Sequence, residues 1–145
     1  MSLEKESLTH KIEDDLALRN RNWDKLDSHL ADYATITSME FPFSAGVKAN
    51  TARITKIGKV VNLTIGVKKS DGSVFAQGYP LIIGQLPVGY RPAHPIIVPA
   101  GLGDSEWRIQ DVAYVYIATN GEISVTNQVN DTGKVIYFST TYIVD

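Results

Sequence analysis

The sequence predicts a mainly β protein that begins with one long α-helix, and three observations lead there. All 11 glycines and all 6 prolines fall from Phe41 onward, so the first 40 residues lack the two residue types that most strongly break regular structure. Residues 1–38 carry 13 charged side chains and residues 39–145 carry 17, roughly twice the charge density in the first part. The spacing of apolar residues also changes after Ser38, from a helical period to short alternating runs separated by turn residues. A length of 145 residues suits a single core. The expected division is therefore 1–38 as an N-terminal helix and 39–145 as a β head.

The helix is expected from about Leu3 to Tyr33. Ile12, Leu16, Trp23, Leu26, Leu30 and Tyr33 fit a heptad, with Ile12, Leu26 and Tyr33 at d, Leu16, Trp23 and Leu30 at a, and Arg19 as the single break. Such a helix spans about 45 Å at 1.5 Å per residue, more than the β head can easily cover. Its apolar stripe is therefore expected to pair with copies of itself as a coiled-coil stalk. Leucine at a with isoleucine at d favours three or four helices. The alternative is a helix folded back on its own β head.

After Ser38 the elements follow from turn signals. Ala52–Ile57 and Lys59–Lys68 flank Gly58-Lys59, with Val61, Leu63, Ile65 and Val67 alternating as the buried side of a hairpin. Ser70-Asp71-Gly72-Ser73 is the next turn and Val74–Leu81 the next expected strand. From Gly84 to Pro99 five residues, Pro87, Gly89, Pro92, Pro95 and Pro99, punctuate the chain, which predicts a surface loop with brief extended pieces such as Ile96–Val98. Trp107–Ala118 and Glu122–Val129 flank Asn120-Gly121, a type I′ hairpin signal, and Lys134–Val144 closes the chain. Short strands at this spacing with no intervening helix form an antiparallel β-sandwich, a jelly-roll-like fold or a barrel.

Composition excludes several functions. A formal net charge of -2 leaves no basic excess for phosphates, so no nucleic-acid partner is expected. With no cysteine there is no disulfide, thiolate metal site or cysteine nucleophile, and the three histidines, His10, His29 and His94, do not cluster. No metal or cofactor is expected. No apolar run approaches the ~18 residues of a membrane span, so membrane insertion is not expected. The acidic N-terminal stretch lacks the basic start and apolar run of a secretory signal.

Five stretches resemble a particular family. The residues from Asn22 to Tyr33, NWDKLDSHLADY, resemble a helical segment common in tail proteins of phages and prophages of Gram-positive bacteria. Four others are similar to the C-terminal head domain of phage tail fibres and baseplate receptor-binding proteins: ARITKIGKVVNL from Ala52, LPVGYRP from Leu86, IATNGEI from Ile117 and TYIVD from Thr141. The resemblance implies a homotrimer with a helical stalk and β heads around the three-fold axis, and saccharide recognition by those heads. It implies a virion protein of the tail tip or baseplate, made in the bacterial cytoplasm, with other tail or baseplate proteins as neighbours. It transfers no binding site, because Pro87, Gly89 and Pro92 read as fixing a turn that Tyr90 covers.

Few residues offer chemistry. Gly103-Asp104-Ser105 is the start of a serine-hydrolase-like block, but no histidine follows Ser105, so no catalytic residue is expected. Asp104 and Glu106 on an extended segment would lie about 7 Å apart, within the separation of an inverting glycosidase, and this leaves a small glycan hydrolase as an alternative. Sugar binding needs an aromatic face against the C–H face of a pyranose, flanked by side chains that hydrogen-bond its hydroxyls. Trp107 with Asp104 and Glu106 supplies such a set, to which the proline-rich loop adds Tyr90, Arg91 and His94. A tryptophan opening a strand also suits core packing, and Arg91 and His94 also suit loop charges. Tyr114 and Tyr116 share one face of their strand and Val115 and Ile117 the other, which places one set in the core and the other at a subunit interface. The expected function is non-enzymatic recognition of a host cell-wall saccharide by a homotrimer, with a structural adaptor docking another virion protein as the alternative.

Overall fold

A run without glycine or proline builds α1 (Ser2–Ala34). It stops where the β-branched run Thr35-Ile36-Thr37 begins. Thr35 caps this end, its amide and hydroxyl donating to the Ala31 carbonyl at 3.0 and 2.8 Å. The computed structural model describes residues 2–104, 106, 108–128 and 133–144; within α1 it describes the side chains of residues 10–31. Ile12, Leu16, Trp23, Leu26 and Leu30 are all exposed along α1, while the Tyr33 side chain lies outside the described part. No helix among the described residues is long and apolar enough to cross a membrane.

The chain divides into two units between Thr35 and Ile36. Residues 36–38, read from the sequence as the end of the helical part, belong to the first strand of the head. Eight strands follow: β1 (Ile36–Met39), β2 (Val47–Ile57), β3 (Val60–Lys69), β4 (Leu81–Gln85), β5 (Ile96–Gly103), β6 (Ile109–Ile117), β7 (Glu122–Asn127) and β8 (Val135–Ile143). They form one antiparallel sheet in the order β1-β2-β3-β8-β5-β6-β7-β4. The sheet curls into a half-barrel, and the link between β1 and β2 reaches across to β4 at the other edge. There Phe43 bridges Gly84, and Ser44 N donates to Ile83 O at 2.8 Å. Glycine at position 84 is a packing requirement, since a Cβ would run into the Pro42 carbonyl and the Phe41 ring.

The alternation seen in the sequence builds the core. Val61, Leu63, Ile65 and Val67 of β3, Ala113, Val115 and Ile117 of β6, and Ile123 and Val125 of β7 are buried, joined by Ile136 and Phe138 of β8. Each buried aliphatic side chain of this size is worth about 1.5–3 kcal/mol relative to exposure. The complementary faces are open: Tyr114 and Tyr116 of β6 are exposed, beside exposed Ile97 and Val112.

Two expectations need correction. Val74–Leu81 is not a strand. Gly78 turns the backbone at φ 78° and Pro80 has no amide to donate, so the segment runs as a loop pinned by Phe75 N to Gly133 O (3.2 Å) and Gly78 N to Asn127 O (2.8 Å). The strand begins at Leu81, opposite Val125 of β7. The segment Ile96–Gly103, expected to be mostly loop, is a full strand despite Pro99. β8 pairs with β5 only at Gly101–Gly103, so Pro99 lies where one flank of the strand is unpaired and no ladder donor is missed.

The register gives the head two ends. Ile36, the Gly58-Lys59 and Asn120-Gly121 turns, the 86–95 loop and Val144 gather at one, which is where the chain enters the head. The 70–80 loop, the 104–108 turn and Lys134 gather at the other.

Candidate functional site

β5 separates the two halves of the saccharide site expected from sequence. Tyr90, Arg91 and His94 precede its first residue and Asp104 and Glu106 follow its last, so the strand holds them about 23 Å apart at ~3.3 Å per residue. They form no common groove. Trp107 and Ser105 lie outside the described residues.

At the far end, Asp104 organises the β5–β6 turn. Its Oδ1 accepts the amides of Glu106 (2.9 Å) and Arg108 (3.2 Å), and its Oδ2 accepts Arg108 Nε at 2.9 Å. Arg108 Nη2 reaches Glu106 Oε2 at 2.6 Å, so one guanidinium holds both carboxylates. Sequence reading missed Tyr137, whose hydroxyl donates to Asp104 O at 2.7 Å while accepting Asn50 Nδ2 at 3.0 Å, which supports the turn from β8. Partial desolvation alone would raise the Asp104 pKa. The amides of Glu106 and Arg108, the Arg108 side-chain bond and its positive charge outweigh that and hold the carboxyl below the usual carboxylate range. A glycosidase acid needs the opposite shift, so this arrangement suits fixing a turn and presenting carboxylate oxygens, not delivering a proton.

Because folding lowers this pKa, the stabilisation from Asp104 is present above the unfolded carboxylate value and is lost as pH falls through the folded one, below about pH 4. A carbon-detected NMR titration should place the Asp104 midpoint below that of free aspartate, and the Arg108 Nε–H signal should broaden in step. A midpoint at or above 4 would contradict the hydrogen-bonded turn.

Beside this turn is a cleft of about 500 Å³, lined by Lys68, Gly103, Asp104, Gln110 and Lys134. Its ammonium, amide and carboxylate groups can donate to and accept from a polyhydroxylated ligand. The residue after Lys68 on β3, Lys69, lines a second, smaller pocket with Phe75, Tyr79 and Leu81. Tyr79 is 78% exposed, more than any other described aromatic side chain. An aromatic between glycine and proline was the available signal for it, but reading Val74–Leu81 as a strand hid it.

The entry end is built for structure. Tyr90 packs against the core, its carbonyl accepts Tyr142 Oη at 2.6 Å, and its hydroxyl pairs with Thr37 Oγ1 at 3.2 Å. Lys56 donates to Gly89 O at 2.8 Å and lies 5.4 Å from the Tyr90 ring centre. Burial pushes the Tyr142 phenol up, so it stays a neutral donor to the loop. Arg91 Nε donates to Leu86 O at 3.0 Å and closes the same loop on itself. His94 is exposed. These contacts hold the proline-rich loop to β1 and β8 and give Tyr90 and Arg91 structural work.

The head domain of lactococcal phage bIL170, solved in a study of the receptor-binding domains of lactococcal phages, superposes with a TM-score of 0.58 at 14% identity, over 76% of this chain and 99% of that one. The chain has a phage receptor-binding head fold. The receptor-binding protein of Listeria phage PSA superposes with a TM-score of 0.54 at 13% identity, over 88% of this chain and 77% of that one. No family model and no curated protein matches the sequence. At such identities the likeness is one of fold, and it agrees with the head-domain resemblance read from the sequence.

Proposed function

We propose that this protein is a receptor-binding component of a phage or prophage tail, a homotrimer that recognises a saccharide of the Gram-positive cell wall without cleaving it. The observation that carries this reading is the fold, which covers 99% of the bIL170 head domain. The distribution of side chains supports it. At the entry end Tyr90 and Arg91 are engaged in internal bonds, whereas the far end presents a cleft bordered by Lys68, Asp104, Gln110 and Lys134, the Asp104–Arg108 turn and an exposed aromatic ring. The exposed stripe of α1 is the stalk seam in this reading, with residues before the head as the oligomerising part. The exposed face of Ile97, Val112, Tyr114 and Tyr116 is a contact between heads. A shallow surface gives weak monovalent binding, so adhesion comes from three heads per trimer and many trimers per virion. Neighbouring tail or baseplate proteins hold the trimer in the virion.

Sedimentation with purified Gram-positive cell walls tests the site. Trp107→Ala is expected to lose wall binding while trimer mass and thermal midpoint hold. Wall binding at the wild-type level in a folded Trp107→Ala variant would move the site away from the 104–108 turn, and a collapsed thermal midpoint would assign Trp107 to the core.

A further inference from the structure

A pocket of about 160 Å³ opens beside the loop that joins β3 to β4. It is lined by the apolar Phe75 and Val125, 2% and 1% exposed, together with Leu81, and by the buried Asn127, whose Nδ2 donates to the Phe75 carbonyl at 2.8 Å. Its mouth is different in character. Gly78 turns the chain at φ 78° and Pro80 follows, and between them the Tyr79 ring stands in solvent. Lys69 lines the same pocket, its Nζ 6.0 Å from the Phe75 ring centre. A solvent-facing aromatic ring over a small, largely apolar floor, with an ammonium at its side, has a defined chemical preference. A plain hexose would have to strip water from a hydroxyl to enter; Phe75, Leu81 and Val125 offer it no partner, and the Asn127 amide is already engaged within the fold, its Nδ2 on the Phe75 carbonyl. An acetamido group enters with its methyl, which loses nothing by drying, and leaves its carbonyl near the rim for an ammonium donor.

We propose that this pocket is a subsite for an N-acetylated sugar. The acetamido methyl lies on Phe75, Leu81 and Val125, the C–H face of the pyranose stacks on Tyr79, and Lys69 Nζ donates to the acetamido carbonyl. This inference rests on the glycan-binding reading above and adds to it a ligand class and a second location. Preference for the acetamido sugar comes from the apolar floor, and strength comes from the ring.

The test is NMR titration of the full-length labelled protein with N-acetylglucosamine and, separately, with glucose. N-acetylglucosamine is expected to shift the amides of Phe75, Tyr79 and Val125 and to bind at least about tenfold more tightly than glucose. Tyr79→Ala should weaken it by a similar factor with an unchanged thermal midpoint, and Tyr79→Phe should retain it, since the ring and not the hydroxyl makes the contact. Equal binding of the two sugars, shifts confined to other regions, or a Tyr79→Ala variant that binds like wild type would overturn the subsite. Wall polysaccharide that still binds in any of those cases would leave the broader reading standing, whereas a wild-type protein that binds no wall polysaccharide would overturn both.

Discussion

Replacing Leu26 and Leu30 by aspartate is expected to take the proposed trimer apart. In one chain Ile12, Leu16, Trp23, Leu26 and Leu30 are each about half exposed or more. A three-stranded seam would bury them, and six introduced carboxylates within it would cost several kcal/mol per trimer. Light scattering should then fall from near three times 15.9 kDa to the mass of one chain. Helical circular dichroism should fall with it, because an isolated helix draws most of its stability from packing its apolar face. A wild-type protein that is monomeric at tens of micromolar, or a double variant of unchanged mass and helicity, would show that these leucines line no seam.

Gly84→Ala should destabilise the head strongly for a single added methyl. The new Cβ meets the Pro42 carbonyl and the Phe41 ring, and Phe41 is 5% exposed, so neither neighbour has room to yield. The backbone at this point is also committed, through the Phe43–Gly84 bridge and the bond from Ser44 N to Ile83 O. Overpacking of this kind costs about 1–3 kcal/mol, which lowers the midpoint of a head this size by roughly 4–8 °C per kcal/mol. Tyr79→Ala, at an exposed position, is the matched control and should shift the midpoint little. A Gly84→Ala midpoint equal to that of the control would mean that the link between β1 and β2 does not seat on β4.

The parts of this structure that could be read from sequence are those whose causes are local. The absence of glycine and proline announces α1, and Gly58-Lys59 and Asn120-Gly121 announce two hairpins, with φ of 55° at Gly58 and 88° at Gly121. Alternation from Val61 to Val67 predicts a buried strand face because the pleat has period two. The misplaced elements depend on partners far away in sequence. Pro99 is tolerated in β5 only because β8 stops short of it, and β4 starts at Leu81 because β7 lies alongside. The candidate site divides in the same way. Asp104 and Glu106 stood out as charged residues in a glycine-rich turn, but their shared tie to Arg108 and the support from Tyr137 come from β6 and β8. Pairing them with Tyr90, Arg91 and His94 overlooked the length of β5. Lys68 and Lys134 drew no notice, being ordinary surface lysines until the pairing of β3 with β8 places them on one cleft.

Binding of the intact protein to immobilised wall polysaccharides from a panel of Gram-positive bacteria decides whether the head binds a wall saccharide. Avid, slowly dissociating binding to at least one polysaccharide is expected, with release of no reducing sugar and a large loss of retention when residues 1–34 are deleted. Absence of binding to every polysaccharide, together with capture of a baseplate protein from disrupted virions, would contradict the claim and make the head an adaptor.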